Sequence, residues 1–399
     1  TDNNKKIKQQ NMDKEDKKFD KFCRINHKTE IIDKNMFKKI SLFLLLLFSF
    51  NIPAKSVENL STFIEQWRQE NQIPAVAVAI KMAGKNPSYY SKGTTTLNGK
   101  TKITAHNLFG IGSITKTFIA ATLLQLQETH KLSLNDSLGK YFPEYPRWSK
   151  ISIRQLLNMT SGIPNFTRTE AFKKLIEHEP SAYHPASFFV DLAYGQKDEF
   201  MPGKGWYYSN TNYYLLGMII EKITNQSLPL EFQQRFFTPL HLHNTYYSIN
   251  SYPISIYKRQ VHAYLDNKDV TKENPAYYGP AGSMLMDIQD LLTWTEALFT
   301  PGKILSKHSL NELLQTQAVP LSPPKPNNAR YGLGIYSVEI PGYGLVWWYT
   351  GVINGYSSMF MWIPNKQTII VAQIDRWKDN NFGLLMPGQN FINIILETI

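Results

Sequence analysis

Two residues able to act together as nucleophile and base, Ser113 and Lys116, stand three positions apart. Apolar residues recur from here at helical spacing, which predicts a long, largely buried helix over 113–130. Side chains three residues apart on a helix lie on one face. A serine hydroxyl attacks well once a neighbouring base takes its proton, and a lysine whose pKa is lowered by burial can be that base. We predict that Ser113 is an acylating nucleophile and that Lys116 belongs to its proton-transfer machinery, although the pair alone also fits an N-capping serine followed by a solvated lysine.

A second pair, Tyr208 and Asn210, stands in a predicted loop just ahead of a helix. Loops often direct functional side chains into a cleft. The Tyr208 phenol, alone or sharing a proton with Lys116, could act as general base and return the proton to the leaving group. The Asn210 amide could donate to a substrate carbonyl. An aromatic loop packed on the core is the alternative, and it explains the segment 202–212 poorly.

The third segment, 347–352, lies on a predicted strand and includes Tyr349, Thr350 and Gly351. A glycine in a strand lets another backbone approach closely. By itself the segment is more typical of a hydrophobic edge strand that ends in a turn. Its functional interpretation therefore depends on the other two segments.

The rest of the chain must supply the elements that position these residues. Hydrophobic periodicity predicts an opening amphipathic helix from Val57 and helical segments joined by Pro- and Gly-containing loops between roughly 135 and 300. Strands are predicted over 74–82, 88–96, 331–339, 344–349, 356–363 and 368–374, and a last helix over about 389–398. Strands at both ends with helices between them predict an α/β fold of the α+β type. The predicted sheet subdomain comprises 55–112 and 325–399, and the helical insertion 113–324.

The N-terminal residues differ in composition from the rest. Residues 1–35 carry 10 Lys/Arg and 7 Asp/Glu with few large apolar side chains, which predicts disorder. Residues 36–54 have the layout of a secretory signal peptide, so we expect the true start at Met36. The only cysteine, Cys23, precedes this signal, so no disulfide, thiolate metal site or lipid anchor is expected. These features predict a periplasmic or secreted protein with no stable membrane anchor after signal cleavage.

Charge and ligand types exclude several classes of function. The formal net charge is +11, but from Lys55 onward 31 Lys/Arg face 25 Asp/Glu and no basic stripe dominates. Nucleic acid is therefore not an expected partner. His241 and His243 have no third ligand nearby in the sequence, whereas zinc sites use three or four protein ligands. We expect no metal and no cofactor, and a small molecule or peptide as substrate.

Together the three segments resemble the motifs of the serine β-lactamase and penicillin-binding protein superfamily. The closest resemblance is to its class C branch, which includes D-alanyl-D-alanine carboxypeptidases and related esterases. The matching residues are Ser113 with Lys116, Tyr208 with Asn210, and Thr350 with Gly351. Segment 156–164 resembles the Leu-Leu-x-His-Thr-Ser-Gly-Leu-Pro sequence of that branch, and the likeness runs from about residue 57 to the C-terminus. The resemblance implies an antiparallel β-sheet flanked by helices, a mostly helical inserted domain, and a site in the groove between them.

The resemblance also implies a role for each residue. Ser113 would form an acyl-enzyme, and Lys116 and Tyr208 would move protons. Asn210 would orient the substrate. The backbone N–H groups of Ser113 and Val352 would form an oxyanion hole, which stabilises charge that develops in the transition state. D-Ala-D-Ala-type peptides derived from peptidoglycan are the expected substrates, and β-lactams are further candidate ligands.

The third motif departs from the branch at its first position. Tyr349 stands where the branch has lysine or histidine, so a cation that would hold a substrate carboxylate is missing unless Arg330 or Arg376 replaces it. Esters and amides without an acid group therefore gain weight as substrates, and an esterase is the alternative enzyme. The alternative to an enzyme is a non-catalytic relative that binds peptidoglycan or acts as a scaffold.

Overall fold

The computed structural model describes residues 57–179, 182–247, 252–273, 275–319, 328–377, 385–387 and 389–398. Three features lie outside the described residues: the extension over 1–35 with Cys23, the signal peptide over 36–54 and the expected start at Met36. What the sequence indicates about them stays a prediction. Within the described residues, no helix has both the length and the apolar character needed to cross a membrane.

The helices and strands follow the predicted order. The helices are α1 (Val57–Glu70), α2 (Thr115–Glu128), α3 (Leu138–Tyr141), α4 (Ile153–Leu157), α5 (Glu170–His178), α6 (Ala186–Tyr194), α7 (Asn210–Thr224), α8 (Leu228–Phe232), α9 (Ile254–Tyr257), α10 (Gly279–Gly282), α11 (Ile288–Phe299), α12 (Lys307–Leu313) and α13 (Asn390–Glu397). The strands are β1 (Ala75–Lys81), β2 (Ser88–Gly93), β3 (Phe109–Gly110), β4 (Thr245–Tyr247), β5 (Tyr264–Leu265), β6 (Lys268–Asp269), β7 (Met284–Met286), β8 (Gln317–Ala318), β9 (Arg330–Tyr331), β10 (Tyr336–Ile340), β11 (Gly344–Ile353), β12 (Tyr356–Ile363), β13 (Thr368–Ile374) and β14 (Arg376–Trp377).

The main sheet joins the two ends of the described chain. Its order is β2-β1-β13-β12-β11-β10-β9-β8, and every neighbouring pair is antiparallel. All of β13 and all of β1 except Lys81 are buried, so these strands are covered on both faces. Helix α11 packs on β1, β12 and β13, and α1 packs on β1 and β2. The predicted α/β fold, an antiparallel sheet flanked by helices, is confirmed.

One predicted strand is wrong. The stretch 331–339 is two short strands, because β9 ends at Tyr331 and β10 begins at Tyr336. The N–H of Gly332 donates to the carbonyl of Ile335 at 2.8 Å and closes a tight loop between them. The chain therefore reverses, and Tyr331 pairs with Tyr336 across the hairpin. Both residues fit a strand by propensity, and the turn at the intervening glycines decides the outcome.

Helix α2 carries the candidate nucleophile into the interior. The sequence predicted a helix over 113–130, but Gly112–Ile114 forms a 3₁₀ turn and α2 begins at Thr115. The Phe118 ring stacks on Trp294 of α11 with centroids 3.5 Å apart, and the Trp294 indole donates to Thr117 Oγ1 at 2.9 Å. Helices α7 and α10 pack against the same helix. Because α2 is buried along most of its length, packing fixes the position of its N-terminal turn.

Candidate active site

The turn that carries Ser113 lies in backbone contact with β11. Gly112 has φ +48°, and a Cβ there would stand 2.6 Å from the N of Val352. A Cβ on Gly351 would stand 1.8 Å from the carbonyl oxygen of Ile111 and 2.7 Å from the N of Ser113. Only glycine permits both approaches. The N–H groups of Ser113 and Val352, the predicted oxyanion donors, therefore lie on the two sides of one close contact.

Strand β11 changes its neighbours where the third motif begins. Its pairing with β10 ends at Trp348, whereas its pairing with β12 continues to Ile353. From Tyr349 onward, β10 leaves this edge of β11 uncovered, and β11 packs against the Gly112–Ile114 turn. Thr350 is half-buried at this edge and Gly351 is buried. A substrate backbone could lie along such an edge as an added strand.

Lys116 is buried directly behind the serine. Its side chain has 0% exposure. The Lys116 Nζ lies 2.9 Å from Ser113 Oγ and donates to the carbonyl of Ala281 at 2.6 Å. Burial lowers the pKa of the Lys116 amine well below its ordinary value, because the charged form loses its hydration. A neutral amine with one N–H held by a carbonyl can turn its lone pair toward Ser113.

Tyr208 approaches the same oxygen from another side. The hydroxyls of Tyr208 and Ser113 are hydrogen-bonded at 2.8 Å. Burial raises the pKa of the Tyr208 phenol to about 12, and interactions with Ser113 and Tyr349 oppose this rise. Tyr208 is therefore a phenol, and not a phenolate, at neutral pH. Of the two candidate bases, Lys116 is the better one for the first proton transfer.

The segment 161–169 holds the Tyr208 loop in place. The Pro164 carbonyl accepts hydrogen bonds from Ser209 Oγ at 3.0 Å and from Thr211 Oγ1 at 2.7 Å. Asn165 Oδ1 accepts the N–H of Asn210 at 3.2 Å. These bonds give a physical function to the family-like segment that ends at Pro164.

Asn210 lies one element later than predicted. It is the first residue of α7 and not a loop residue. Its side-chain amide donates to Thr167 Oγ1 at 3.4 Å. The amide is therefore oriented by the neighbouring segment, and its half-buried side chain keeps some exposed surface.

The first residue of the third motif is buried. Tyr349 is 1% exposed, which leaves its side chain little surface for a substrate to touch. Its hydroxyl lies 3.0 Å from the hydroxyl of Tyr331 and also interacts with Tyr208. Among the described residues, Lys116 is the one cation with a recorded hydrogen bond to Ser113, Tyr208 or Tyr349.

Both arginines that could have replaced the missing cation bind elsewhere. The Arg330 guanidinium donates to the carbonyl of Thr316 at 2.6 Å and to its Oγ1 at 3.0 Å. Arg376 is buried and donates to the carbonyl of Asp266 at 2.9 Å, to the carbonyl of Gln72, and to a side-chain oxygen of Asn267 at 2.5 Å. Neither guanidinium has a recorded contact with the Ser113 cluster.

Three contributors to the site were missed at the level of sequence: the carbonyl of Ala281 and the phenols of Tyr213 and Tyr331. Ala281 and Tyr331 lie within the part of the chain that resembles the family, from about residue 57 to the C-terminus, which was the available signal. Tyr213 offered none beyond its place in an apolar helix. Among the described residues, no group of three or more His, Cys, Asp and Glu side chains could hold a metal ion.

This geometry agrees with the comparisons with known proteins. The sequence profile of the beta-lactamase family matches residues 60–388. The chain belongs to the beta-lactamase family. The predicted membership of the serine β-lactamase and penicillin-binding protein superfamily is therefore confirmed.

Solved structures and a curated relative show the same likeness. A D-stereospecific amidohydrolase from Streptomyces sp. is 30% identical with a TM-score of 0.68, over 80% of this chain and 94% of that one. D-amino acid amidase from Ochrobactrum anthropi SV3, solved with L-phenylalanine amide, is 25% identical with a TM-score of 0.74, over 86% and 97%. Protein flp of Staphylococcus aureus strain NCTC 8325 is 26% identical over 329 residues, 79% of this chain. The chain spans only 62% of the length of flp.

Proposed function

We propose that this chain is a serine acyl hydrolase that forms an acyl-enzyme on Ser113 and cleaves amides of D-amino acids. One observation supports this above all: Ser113 Oγ lies 2.9 Å from the Lys116 amine and 2.8 Å from the Tyr208 phenol. A hydroxyl held between a neutral amine and a phenol has both a base for attack and an acid for the leaving group.

The acylation step follows from the pKa directions. Lys116, whose neutral form is favoured by burial, takes the proton of Ser113 as the oxygen attacks the substrate carbonyl. The N–H groups of Ser113 and Val352 stabilise the oxyanion. Tyr208 gives its proton to the leaving amine nitrogen, the C–N bond breaks, and the Lys116 ammonium then returns a proton to Tyr208.

Deacylation uses Lys116 as the base again. Lys116 takes a proton from water, the hydroxide oxygen attacks the acyl carbon, and the C–O bond to Ser113 breaks. The proton held by Lys116 returns to Ser113 Oγ, so the free acid and the resting enzyme are formed. No cofactor or metal is required for either half-reaction.

The substrate class is proposed from the neutral third motif. A phenol at Tyr349 supplies no positive charge for a carboxylate, and Arg330 and Arg376 are engaged elsewhere. D-Ala-D-Ala peptides and β-lactams carry that carboxylate, whereas an amino acid amide does not. The likeness to a D-stereospecific amidohydrolase and a D-amino acid amidase supports the same choice.

Ester hydrolysis is the second candidate function. The buried neutral Tyr349 favours it for the same reason, since an ester also lacks a carboxylate at the leaving end. Cell-wall peptides and β-lactams are a third class of substrate, and their expected kcat/KM is lower than that of amides and esters without a carboxylate. Export, which would bring the enzyme to peptidoglycan, stays a prediction from residues 36–54.

The test compares substrates on one purified enzyme. We expect ammonia release from D-phenylalanine amide to exceed that from L-phenylalanine amide, and Ser113→Ala to lower kcat/KM by at least about 10³-fold. Intact mass spectrometry with a D-phenylalanine ester should show one acyl adduct, which peptide mapping places on Ser113. Ser91→Ala, on β2 away from the site, is the matched control. Full activity of Ser113→Ala, or an adduct on another residue, would disprove the proposal.

A further inference from the structure

Four phenols form a connected row that begins at the nucleophile. Tyr208 is hydrogen-bonded to Ser113 at 2.8 Å and interacts with Tyr349. The Tyr349 hydroxyl lies 3.0 Å from that of Tyr331, which in turn interacts with Tyr213. Sequence separations of more than 100 residues within this row mean that the fold, and not local sequence, builds it.

At the far end of the row, the direction of hydrogen-bond donation is fixed. The hydroxyl of Tyr213 donates to the carbonyl of Leu157 at 3.1 Å, and a carbonyl has no proton to give back. The single Tyr213 proton is therefore engaged, and its oxygen is left to accept the proton of Tyr331. By the same argument the Tyr331 oxygen is left to accept the proton of Tyr349.

Tyr349 is then the member of the row that can donate its proton to either of two neighbours. It has a single proton and two oxygen neighbours, Tyr331 and Tyr208. While Tyr208 is a neutral phenol, Tyr331 is the closely placed acceptor. Once Tyr208 has given its proton to a leaving group, its oxygen is an anion and becomes the stronger acceptor.

We propose that Tyr349 is a positioning residue for catalysis whose hydroxyl donates to Tyr331 at rest and turns to stabilise Tyr208 when Tyr208 has lost its proton. The inference rests on the proposed function and assigns to Tyr349 a role through Tyr208 in place of direct substrate contact. Protons balance without a further reactant: the Tyr208 proton goes to the leaving group, the Lys116 ammonium restores it, and Tyr349 turns back.

Burial makes this donor effective. Tyr349 is 1% exposed, and Tyr331 and Tyr213 are fully buried, so little water competes for their hydroxyls. Hydrogen bonds to an anion are stronger where water is excluded. A neutral donor also avoids the cost of burying a second cation beside Lys116. Because the anion exists only during turnover, the bond stabilises the transition state more than the ground state.

The leaving group supplies a specific test. Tyr349→Phe keeps the ring and removes the donor. A p-nitrophenolate leaves without a proton, so kcat/KM for D-phenylalanine p-nitrophenyl ester should stay within about 2-fold of wild type. Ethanol and ammonia need the Tyr208 proton to leave, so kcat/KM for D-phenylalanine ethyl ester and amide should fall about 10- to 100-fold.

Tyr336→Phe is the matched control. The Tyr336 ring packs on Tyr331 with centroids 4.5 Å apart and on Tyr349 at 5.4 Å, so it belongs to the same aromatic cluster. Within the described part of the chain, its hydroxyl has no recorded hydrogen bond. Its loss should leave the leaving-group dependence unchanged. Site-specific 3-fluorotyrosine at position 349, which keeps the hydroxyl, should retain the wild-type pattern.

Each outcome decides between the two proposals. Equal losses on all three substrates in Tyr349→Phe, or no loss on any, would overturn the role of Tyr349. A wild type that cleaves both esters but not the amide would refute amide hydrolysis, while the ester pair still tests Tyr349. If Ser113→Ala were as active as wild type, both proposals would be refuted.

Discussion

Buried ionisable side chains cluster around Ser113 and, in a second place, at the start of α11. In the second place, Asp287 Oδ1 accepts the N–H of Asp290 at 2.8 Å and so caps the helix, and its Oδ2 accepts Asn244 Nδ2 at 2.6 Å. Asp290 Oδ2 accepts the N–H of Asn244 at 2.7 Å and Thr245 Oγ1 at 2.8 Å. These partners are a helix end and the beginning of β4, so the cluster joins two elements.

The Ser113 cluster uses different partners. Ser113, Lys116 and Tyr208 bond chiefly to each other, and each of them can give or take a proton. Both clusters contain groups whose pKa burial shifts, but only one places a base and an acid on the same oxygen. A shifted pKa alone therefore does not indicate chemistry, whereas a shifted pKa with exchangeable proton partners does. Substitutions in the first cluster should affect activity, and those in the second should affect stability.

The largest expected effect comes from Lys116→Met, which keeps side-chain length and removes the base. We expect kcat/KM to fall by about 10³-fold, in the range of a lost general base. The melting temperature should not fall, because removing a buried amine removes its desolvation cost. Lys131→Met, at an exposed lysine, is the matched control for charge loss. A Lys116→Met enzyme with nearly wild-type activity would erase the distinction between the clusters.

The pH dependence sharpens the same prediction. Wild-type kcat/KM should decline as pH falls through the lowered pKa of Lys116, since the protonated amine cannot take a proton. The folded state disfavours the Lys116 ammonium, so at this site the unfolded chain binds more protons, and the Lys116 contribution to stability should rise with pH up to the ordinary lysine pKa. Urea unfolding at several pH values should show this rise in the difference in unfolding free energy between wild type and Lys116→Met.

An intermediate effect is expected at the backbone contact. In Gly351→Ala the new Cβ would collide with the carbonyl of Ile111, so β11 and the Ser113 turn must separate. Displacing one oxyanion donor should lower kcat about 10²-fold, and the strain should lower the free energy of unfolding by about 1–3 kcal/mol. In the control Gly195→Ala the Cβ meets ordinary contact distances. Wild-type kinetics in Gly351→Ala would contradict the assigned contact.

The sequence was informative where function depends on local spacing. Ser113 and Lys116 lie three residues apart where a 3₁₀ turn leads into α2, so their proximity follows from local structure. Alternation and glycine placement were also enough to predict the strand that carries Tyr349, Thr350 and Gly351, although it extends further than predicted. The fold class followed from the order of elements, which was read correctly despite boundary shifts of a few residues.

Contacts between distant segments could not be predicted in this way. The carbonyl of Ala281 reaches Lys116, and Tyr331 reaches Tyr349, only because packing brings separate elements together. The break of the 331–339 strand depended on a turn that strand propensity does not record. The same limit applied to Asn210, whose place at the start of α7 depends on Asn165 accepting its N–H.

The smallest effect, and the one that tests the second cluster, concerns Asp290. Burial, and secondarily the nearby Asp287, raises the pKa of the Asp290 carboxyl to about 6. A carboxyl whose folded pKa is raised contributes stability that is present below its unfolded pKa and is lost as pH rises through the folded value. The Asp290 contribution to stability, measured as the difference in unfolding free energy between wild type and Asp290→Asn, should therefore decline between about pH 4 and pH 7, by an amount on the order of 1–3 kcal/mol. Asp290→Asn can still accept both hydrogen bonds through one oxygen. It should therefore lack this pH-dependent decline in stability and leave kcat/KM unchanged. The matched control Asp266→Asn, at an exposed turn, should keep the wild-type dependence of stability on pH. A loss of activity in Asp290→Asn without a change in the pH dependence of unfolding would show that the α11 cluster also serves the chemistry.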